Sequence, residues 1–264
     1  MKRIYKALTI AGSDSGAGAG IQADLKTFAA LGVYGTSVIT AITAQNTREV
    51  TQILELPPDI VAAQIDAVIQ DIGANALKTG MLANAAIIEV VAEKIREHRL
   101  QNLVVDPVMV AKSGDLLLRK EAIEALRSLL IPLAAIVTPN LPETEKLTGL
   151  QATTKKGIKE AAKRIVEMGA KSVVIKGGHR KGAATDLFYD GKDFRELTAP
   201  RIRTPHTHGT GCTFSAAIAA YLARGEKLEK AVVLAKRYIT QAIRQGFAVG
   251  SGHGPVHHFY SFWK

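Results

Sequence analysis

The segment ALTIAGSDSGAGAGIQADLKTFAALG, residues 7–32, holds a strand, a turn and a helix in immediate succession. ALTIAG at 7–12 is a short apolar run typical of a buried strand. Residues 18–31 follow with apolar side chains at helical spacing, and Gly32 marks the expected end of that helix. A strand that leads into a helix through a glycine-rich turn is the first half of a βαβ unit, which predicts a parallel sheet.

The same succession repeats along the rest of the chain. Strands are predicted at 36–43, 76–79, 103–106, 134–139 and 172–176, with a hairpin around Asp190-Gly191 at 186–197. Helices are predicted at 58–71, 84–98, from Pro142 onward, and at 155–168, 212–223 and 227–245. Parallel strands joined by such helices require right-handed crossovers. The pattern therefore predicts an α/β protein with a mostly parallel central sheet.

Composition narrows the class of protein further. The chain has 264 residues, of which 47% are hydrophobic and one is a cysteine. This apolar content excludes intrinsic disorder, and a single thiol excludes an internal disulfide framework, which favours a reducing compartment. No apolar run approaches the roughly 18 residues of a membrane-spanning helix, and no Pro/Ser-rich linker divides the sequence. We expect a cytoplasmic protein with no membrane partner and a single domain over residues 1–264.

The formal charge is +10, from 34 basic and 24 acidic residues. The densest basic stretch, 155–164, shares its helical pattern with Glu160, which indicates a solvated helix face. The six Tyr, seven Phe and one Trp do not interleave with it, so a base-stacking surface is not supported. We expect no nucleic-acid partner. The net positive charge is consistent with binding of small molecules that carry phosphate groups.

Polar residues recur where the predicted parallel strands end. In such sheets ligands bind at the carboxyl ends of the strands, so a small-molecule site is expected there. The residues at these ends are Gly12 to Ser15, Gln45, Asn46, Lys78, Asp106, Asn140 and Lys176.

The first glycine-rich segment, GSDSGAGAG at 12–20, can bring a ligand close to backbone N–H groups at a helix N-terminus. Residues 18–23 fit the loose dinucleotide pattern G-x-G-x-x-A, but the next strand lacks the acidic residue that holds the ribose. The Gly-Lys-Ser/Thr triplet of a Walker A loop is also missing. The segment can alternatively serve only tight packing of helix on sheet.

The second glycine-rich segment, HGTGCTFSAAIAAYL at 208–222, predicts an anion hole, because Gly209, Thr210 and Gly211 precede an apolar helix. Cys212 falls in the first turn, where a helix N-terminus favours the thiolate, although inert packing is the alternative. Lys176 can neutralise a phosphate or reach solvent.

Two carboxylates, Asp106 and Glu143, also follow predicted strands. A Mg²⁺ ion held by one or two carboxylates, waters and substrate phosphates suits such a pair. Each of the two could equally cap a turn or a helix.

Motifs along almost the whole chain resemble the hydroxymethylpyrimidine/hydroxymethylpyrimidine-phosphate kinases of thiamine biosynthesis. These motifs are AGSDSGAGAGIQADLKTF (11–28), TAQNT (43–47), KTGML (78–82), VVDPVMVAKSG (104–114), TPNLPE (138–143), KGGH (176–179), THGTGC (207–212) and GPVHHF (254–259). The resemblance implies the ribokinase-like fold, a three-layer α/β/α sandwich. It also implies ATP and Mg²⁺, and phosphorylation of 4-amino-5-hydroxymethyl-2-methylpyrimidine and then of its monophosphate. The resemblance also implies a homodimer, which is the usual oligomeric state in this family.

The resemblance also implies roles for individual residues. Substrate binding is expected of Gly12, Asp24, Thr43, Gln45, Met81 and Val108, and nucleotide binding of Asn140, Lys176 and Thr210. Asp106 and Glu143 are the expected metal ligands. The expected catalytic set is Cys212, as the proton acceptor, with Lys176, Gly209, Thr210 and Gly211. Cys212 can alternatively only line the pocket.

The sequence departs from the family pattern in two places. Ala17 stands where a third glycine is common, and Pro205-His206 replaces Lys-Asn before the anion hole. The histidines of the tail, 253, 257 and 258, fit packing better than metal binding, because they match a family ending. The main alternative function is a pyridoxal or pyridoxine kinase of the same superfamily. A nucleic-acid-binding module and a dinucleotide oxidoreductase are less well supported by the residues above.

Overall fold

Strands and helices alternate along the computed structural model, which describes residues 3–109, 120–178 and 182–263. Residues 110–114 of one family motif and His179 of another lie outside these ranges. The strands are β1 Lys6–Asp14, β2 Tyr34–Gln45, β3 Val50–Glu55, β4 Ala76–Thr79, β5 Leu103–Val105, β6 Ile136–Val137, β7 Val173–Ile175, β8 Ala184–Tyr189 and β9 Phe194–Ala199. The helices are α1 Gly20–Ala30, α2 Pro58–Asp71, α3 Ala85–Glu97, α4 Lys120–Ala125, α5 Leu141–Thr148, α6 Lys155–Glu167, α7 Thr210–Ala223 and α8 Leu228–Arg244.

Within the described residues the strands form one nine-stranded sheet in the order β3-β2-β1-β4-β5-β6-β7-β8-β9. The pairs from β2 across to β7 are parallel, whereas β3, β8 and β9 pair antiparallel. The prediction of a mostly parallel sheet is confirmed. Since the parallel strands end at one edge, the polar residues that follow them meet there.

Helices cover both faces of this sheet. Strand side chains alternate between faces, so Leu8 and Ile10 enter one apolar core while Ala7 enters the other. The first core lies under α2, α3, α5 and α6, and the second under α1, α7 and α8. Full burial of one such side chain contributes about 1.5–3 kcal/mol, so the two cores hold all three layers together. The predicted three-layer sandwich is confirmed.

The sequence analysis did not predict strand β3, which forms one edge of the sheet, or the helical segment that begins with α4. β3 leaves nearly all its residues exposed, including Ile53 and Leu54. A strand with neither a buried face nor apolar alternation has no period-2 signal. α4 continues into a π-helical turn, Leu126–Leu130, and a 3-10 turn, Ile131–Leu133, so its apolar residues depart from regular spacing.

No helix in the described ranges is long and apolar enough to span a lipid bilayer.

Candidate active site

A cavity of about 730 Å³ opens at the carboxyl edge of the parallel strands. Its wall combines the glycine turn after β1, the ends of β2 and β4, and the start of α7. It brings together every residue to which the resemblance assigns a role except Asp24, namely Gly12, Thr43, Gln45, Met81, Asp106, Val108, Asn140, Glu143, Lys176, Gly209, Thr210, Gly211 and Cys212. Of the other residues expected at the strand ends, Ser15 and Asn46 do not line it.

The predicted anion hole lies at the N-terminus of α7. Gly209 caps the helix with φ of +77°, a left-handed conformation that favours glycine, and a Cβ there would collide with the carbonyl oxygen of Gly18. The Thr210 N–H donates to the Thr207 carbonyl oxygen at 3.3 Å, so this N–H is engaged within the loop. The first intrahelical bond is donated by Thr213 to Gly209. Gly211 and Cys212 therefore carry N–H groups ahead of that bond, where the helix dipole is positive.

Lys176 lies beside this hole between two carboxylates. Its Nζ is 2.9 Å from Asp106 Oδ1 and 4.0 Å from Glu143 Oε2. A Cβ on Gly211 would lie 3.3 Å from the same Nζ, so glycine there leaves space beside the ammonium. Although burial favours the neutral amine, Asp106 and Glu143 raise the pKa of Lys176 above its usual value. The group therefore carries a fixed positive charge.

Glu143 takes part in the N-terminal cap of α5 and also lines the cavity. Asn140 caps α5: its side chain accepts from the Glu143 N–H at 2.8 Å, and its own N–H donates to Glu143 Oε2 at 2.7 Å. Burial raises the pKa of Glu143 to about 7, against the opposing effect of Lys176. The helix-capping alternative that the sequence left open for Glu143 is thus realised, with Asn140 as the N-cap residue, while both residues still line the cavity.

Cys212 differs from the sequence expectation in its protonation. Burial raises the pKa of the thiol to about 11, and the nearby carboxylates Asp24 and Asp106 add to this, while Lys78 opposes it. The expected thiolate-favouring effect of the helix N-terminus is outweighed. A helix terminus contributes about 0.3–1 kcal/mol, whereas burial can shift a pKa by several units. The raised pKa favours the neutral thiol near pH 7.

Gln45, Thr43, Met81 and Val108, the residues expected to bind the substrate ring, line the same cavity. The Thr43 hydroxyl lies 2.9 Å from the Ser13 carbonyl oxygen and 3.1 Å from the Gln45 amide. A Cβ on Gly12 would lie 2.6 Å from the Met81 methyl group, so Gly12 makes room for Met81. An amide beside apolar side chains can bind a ring by its edge and its faces.

Asp24 lies behind the cavity wall and not in it. Its fully buried carboxylate accepts from the Thr9 hydroxyl at 2.6 Å and pairs with Lys78 Nζ at 2.9 Å. Lys78 reaches the cavity wall, and Asp24 raises its pKa although burial alone would lower it. Direct substrate contact by Asp24 stays a prediction from the sequence, since Asp24 is not among the cavity-lining residues and its Oδ2 serves Lys78 and Thr9.

A pair next to the anion hole joins Asp14, which the sequence placed among the polar residues at the strand ends, to His208, for which it gave no individual role. His208 Nε2 lies 2.9 Å from Asp14 Oδ2, and Asp14 also accepts from the N–H groups of Gly16, Gly18 and Ala19. An aspartate that opens a glycine turn commonly accepts backbone N–H bonds, which was the available signal. The partner histidine lies 194 residues away in the chain, so no local pattern indicated the pairing.

A second unpredicted pair lies between β8 and α8. Lys236 Nζ is 2.6 Å from Asp186 Oδ2, and Asp186 Oδ1 accepts from the Gly177 N–H at 2.9 Å. Both residues line the cavity beyond Lys176. Neither belongs to a motif that the sequence analysis used, and only the fold brings them together.

The tail histidines do not converge on one point. His258 is buried with Nε2 3.0 Å from the Thr213 hydroxyl, His257 packs against Phe247 and Trp263, and His253 approaches the Pro205 carbonyl oxygen. This agrees with the packing role expected from the sequence. The tail also pairs with the anion-hole loop, since the His208 N–H donates to the Gly254 carbonyl oxygen at 3.0 Å.

The fold and the cavity together define a small-molecule kinase of the ribokinase-like class, with a ring pocket, a fixed lysine and a helix-capped anion hole in one space. The model of the phosphomethylpyrimidine kinase family matches residues 14–257. The chain belongs to the phosphomethylpyrimidine kinase family. The resemblance seen in the sequence motifs is thereby confirmed.

The known proteins similar to this chain include both a hydroxymethylpyrimidine/phosphomethylpyrimidine kinase and a pyridoxal kinase. The hydroxymethylpyrimidine/phosphomethylpyrimidine kinase of Bacillus subtilis is 51% identical over 97% of this chain and 95% of its own length. The thiamine biosynthesis bifunctional protein ThiED of Geobacter sulfurreducens is 53% identical over 95% of this chain, which spans 51% of that relative. The ADP complex of Bacillus subtilis pyridoxal kinase is similar at a TM-score of 0.91 and 45% identity, covering 97% of this chain and 98% of that one.

Proposed function

We propose that the protein transfers a phosphoryl group from ATP to the hydroxymethyl group of 4-amino-5-hydroxymethyl-2-methylpyrimidine, and then a second one to the resulting monophosphate, as a step of thiamine biosynthesis. The observation that carries this proposal is one shared cavity. A ring pocket around Gln45 and Met81 opens directly onto the anion hole at Gly211. The named activity of the Bacillus subtilis relative supports the choice of substrate.

Phosphoryl transfer needs positioning and charge neutralisation more than covalent chemistry. We assign these tasks to the N–H groups of Gly211 and Cys212, the positive end of α7 and the Lys176 ammonium. Lys176 would hold phosphate oxygens of the nucleotide, while the amides would stabilise the migrating group. Thr210 would act through its place in the helix cap, since its hydroxyl already donates to the Thr207 carbonyl oxygen at 2.7 Å.

Cys212 is proposed as the acceptor of the substrate's hydroxyl proton. Because burial raises its pKa to about 11, only about one chain in ten thousand holds the thiolate at pH 7. Proton transfer to the thiolate would therefore limit the rate near neutral pH. If Cys212 only lines the pocket, the proton leaves by another route and the rate does not depend on the thiolate.

The donors around Lys176 fit a magnesium ion bound with the nucleotide. Asp106 Oδ1 accepts hydrogen bonds from Lys176 Nζ and from the Thr138 hydroxyl. Asp106 Oδ2 lies 3.8 Å from the position that a Cβ on Gly211 would occupy. Buried carboxylate oxygens at the rim of an anion hole are ligands that Mg²⁺ prefers. We propose that Asp106 and Glu143 hold the ion, directly or through water. When bound, it would supply charge neutralisation of the phosphates.

The alternative is a pyridoxal or pyridoxine kinase, which the 45% identical solved structure favours. Both substrates carry a hydroxymethyl arm on a nitrogen-containing aromatic ring, so one pocket could accept both. Measurement of kcat/KM for ATP consumption with each substrate separates them. We expect the aminopyrimidine to be preferred. A tenfold preference for pyridoxal, about 1.4 kcal/mol of discrimination, would reverse the assignment.

The remaining expectations from the sequence stay proposals. We propose a single domain over residues 1–264, since one continuous sheet runs from β1 to β9. A cytoplasmic location is supported by the lone cysteine. A homodimer is supported by exposed apolar side chains on β2 and β3, namely Ile42, Ile53 and Leu54.

A further inference from the structure

His208 occupies the boundary between the ring pocket and the anion hole. Its Nε2 lies 2.9 Å from Asp14 Oδ2 and 3.5 Å from the nearer end of the Gln45 amide. Its backbone immediately precedes Gly209, the cap of α7. The imidazole is packed so closely against Gly18 that a Cβ there would collide with it. The ring therefore has a fixed position, mostly buried, between the two halves of the cavity.

The proton on His208 Nε2 can be assigned from its partner. Asp14 accepts three backbone N–H bonds, at 2.8, 3.1 and 2.8 Å, from Gly16, Gly18 and Ala19. Although burial opposes ionisation, these bonds and His208 hold the pKa of Asp14 below its usual value. A carboxylate that is ionised can only accept, so His208 Nε2 carries a hydrogen and donates to Asp14.

This assignment fixes the direction of the Gln45 amide. With the Gln45 nitrogen toward His208, two N–H donors would face each other 3.5 Å apart. Turning the amide by half a rotation places its oxygen toward His208 Nε2 and its nitrogen 3.1 Å from the Thr43 hydroxyl oxygen. The Thr43 hydroxyl then donates to the Ser13 carbonyl oxygen at 2.9 Å, and no two donors face each other along the contacts that link Thr43, Gln45 and His208.

We propose that His208, held by Asp14, is a positioning residue that locks the orientation of the Gln45 amide and so selects the hydrogen-bond polarity of the ring that the enzyme accepts. This rests on the proposed function, in which Gln45 binds the pyrimidine edge. The locked amide offers its oxygen on the His208 side and an N–H on the Thr43 side. An aminopyrimidine edge, with an amino donor next to a ring-nitrogen acceptor, matches that order.

A ring with reversed polarity provides the discriminating probe. In the 4-oxo analogue of the substrate, the exocyclic group accepts and the neighbouring ring nitrogen donates. Binding it in the same pose requires the opposite amide orientation, which leaves donors facing each other at His208. The wild-type enzyme should therefore prefer the amino ring over the oxo ring by a large factor in kcat/KM.

The test compares this factor among the wild type, His208→Leu and His208→Gln. Leucine removes the donor and frees the amide to rotate, so the preference for the amino ring should fall at least tenfold. Glutamine keeps an N–H donor and should restore most of it. If His208 only packs the loop, both substrates lose the same factor and the preference stays unchanged, which overturns the inference.

A second variant covers the case in which His208→Leu does not fold, as judged by circular dichroism. Asp14→Asn removes the charge that orients the imidazole and should also reduce the preference, again at least tenfold. An unchanged preference in folded Asp14→Asn contradicts the inference. If the wild type phosphorylates neither ring, the proposed function fails instead, and this result is distinct because it appears before any variant is compared.

Discussion

At the residue scale, Cys212 shows how burial can outweigh a local sequence signal. Its place in the first turn of a helix favours the thiolate, and this much can be read from the sequence. The neighbouring carboxylates come from Asp24 and Asp106, which are distant in the chain and unite only in the fold. Because their charges and the loss of water depend on tertiary structure, the direction of this pKa shift could not be predicted from the motif.

The raised thiol pKa predicts the pH dependence of the enzyme. If the Cys212 thiolate accepts the proton, kcat rises about tenfold per pH unit from pH 7 to pH 9, below the thiol pKa of about 11. Cys212→Ala should lower kcat at pH 9 about 100-fold or more with little change in KM. Steady-state kinetics of both proteins over this range check the prediction. A flat wild-type profile would reduce Cys212 to a pocket-lining residue.

Ala17 predicts a gain in stability from a single change. It has φ of +60°, a left-handed conformation that costs an L-residue about 1–2 kcal/mol but is open to glycine. The greater conformational entropy of glycine in the unfolded chain offsets part of this strain, so Ala17→Gly should still raise the free energy of unfolding, by up to about 1 kcal/mol. Urea denaturation measures it. Ala19→Gly is the matched control: φ is −133° there, and no gain is expected.

At the element scale, the regular helices and parallel strands were predictable within one or two residues, because the helices have apolar side chains at helical spacing and the central strands are short apolar runs buried on both faces. The helix predicted at 58–71 matches α2, Pro58–Asp71, at both ends, and strand 76–79 matches β4, Ala76–Thr79. β3 escaped prediction because it is an edge strand without a buried face. Edge strands of this kind are usually paired or protected, and we therefore place the proposed dimer interface at β3.

The exposed face of β3 predicts how the dimer would be disrupted. Leu54 is 63% exposed and next to Ile53, so a lysine there places a charge in the proposed interface without disturbing either core. Leu54→Lys should shift sedimentation from dimer to monomer at micromolar concentration. Leu150→Lys, at an exposed apolar site after α5, serves as the control and should remain a dimer. A wild type that sediments as a monomer would contradict the homodimer itself.

At the scale of the whole molecule, stability depends on the tail that closes over the anion-hole loop. His258 is buried, bonds to Thr213 in the first turns of α7, and accepts the Tyr238 hydroxyl at its carbonyl oxygen. The sequence indicated packing for this tail but not where it packs. That information depends on pairing between residues 208 and 255, which no local pattern encodes.

The buried histidine predicts acid sensitivity. Burial, with smaller effects from Lys26 and His257, lowers the pKa of His258 from 6.5 to about 3. Below pH 6.5 the unfolded chain therefore binds a proton that the folded chain does not, and stability is lost as pH falls from 6.5 toward 3. At pH 5 this contribution costs about 2 kcal/mol relative to pH 8.

Urea unfolding of the wild type and His258→Gln at pH 8 and pH 5 isolates the effect, because other titrating groups are common to both proteins. The variant should be less stable at pH 8 but should lose about 2 kcal/mol less than the wild type on acidification. Equal losses in the two proteins would show that His258 titrates normally in the folded state.

Fold class, motif order and most cavity residues were thus accessible from the sequence, because periodicity and strand ends locate them. What escaped prediction was the pairing of charges across the fold. Asp14 with His208, Asp24 with Lys78, and Asp186 with Lys236 each join segments far apart in the chain. Such pairs follow from sheet order, which a single sequence does not display.

The most direct test of the central claim is a phosphorus NMR time course of the wild-type protein with ATP, Mg²⁺ and 4-amino-5-hydroxymethyl-2-methylpyrimidine. We predict that the pyrimidine monophosphate resonance appears first and is then replaced by the two resonances of the pyrimidine diphosphate. ATP that remains intact, or that yields only inorganic phosphate while the pyrimidine stays unesterified, would contradict phosphoryl transfer within this cavity.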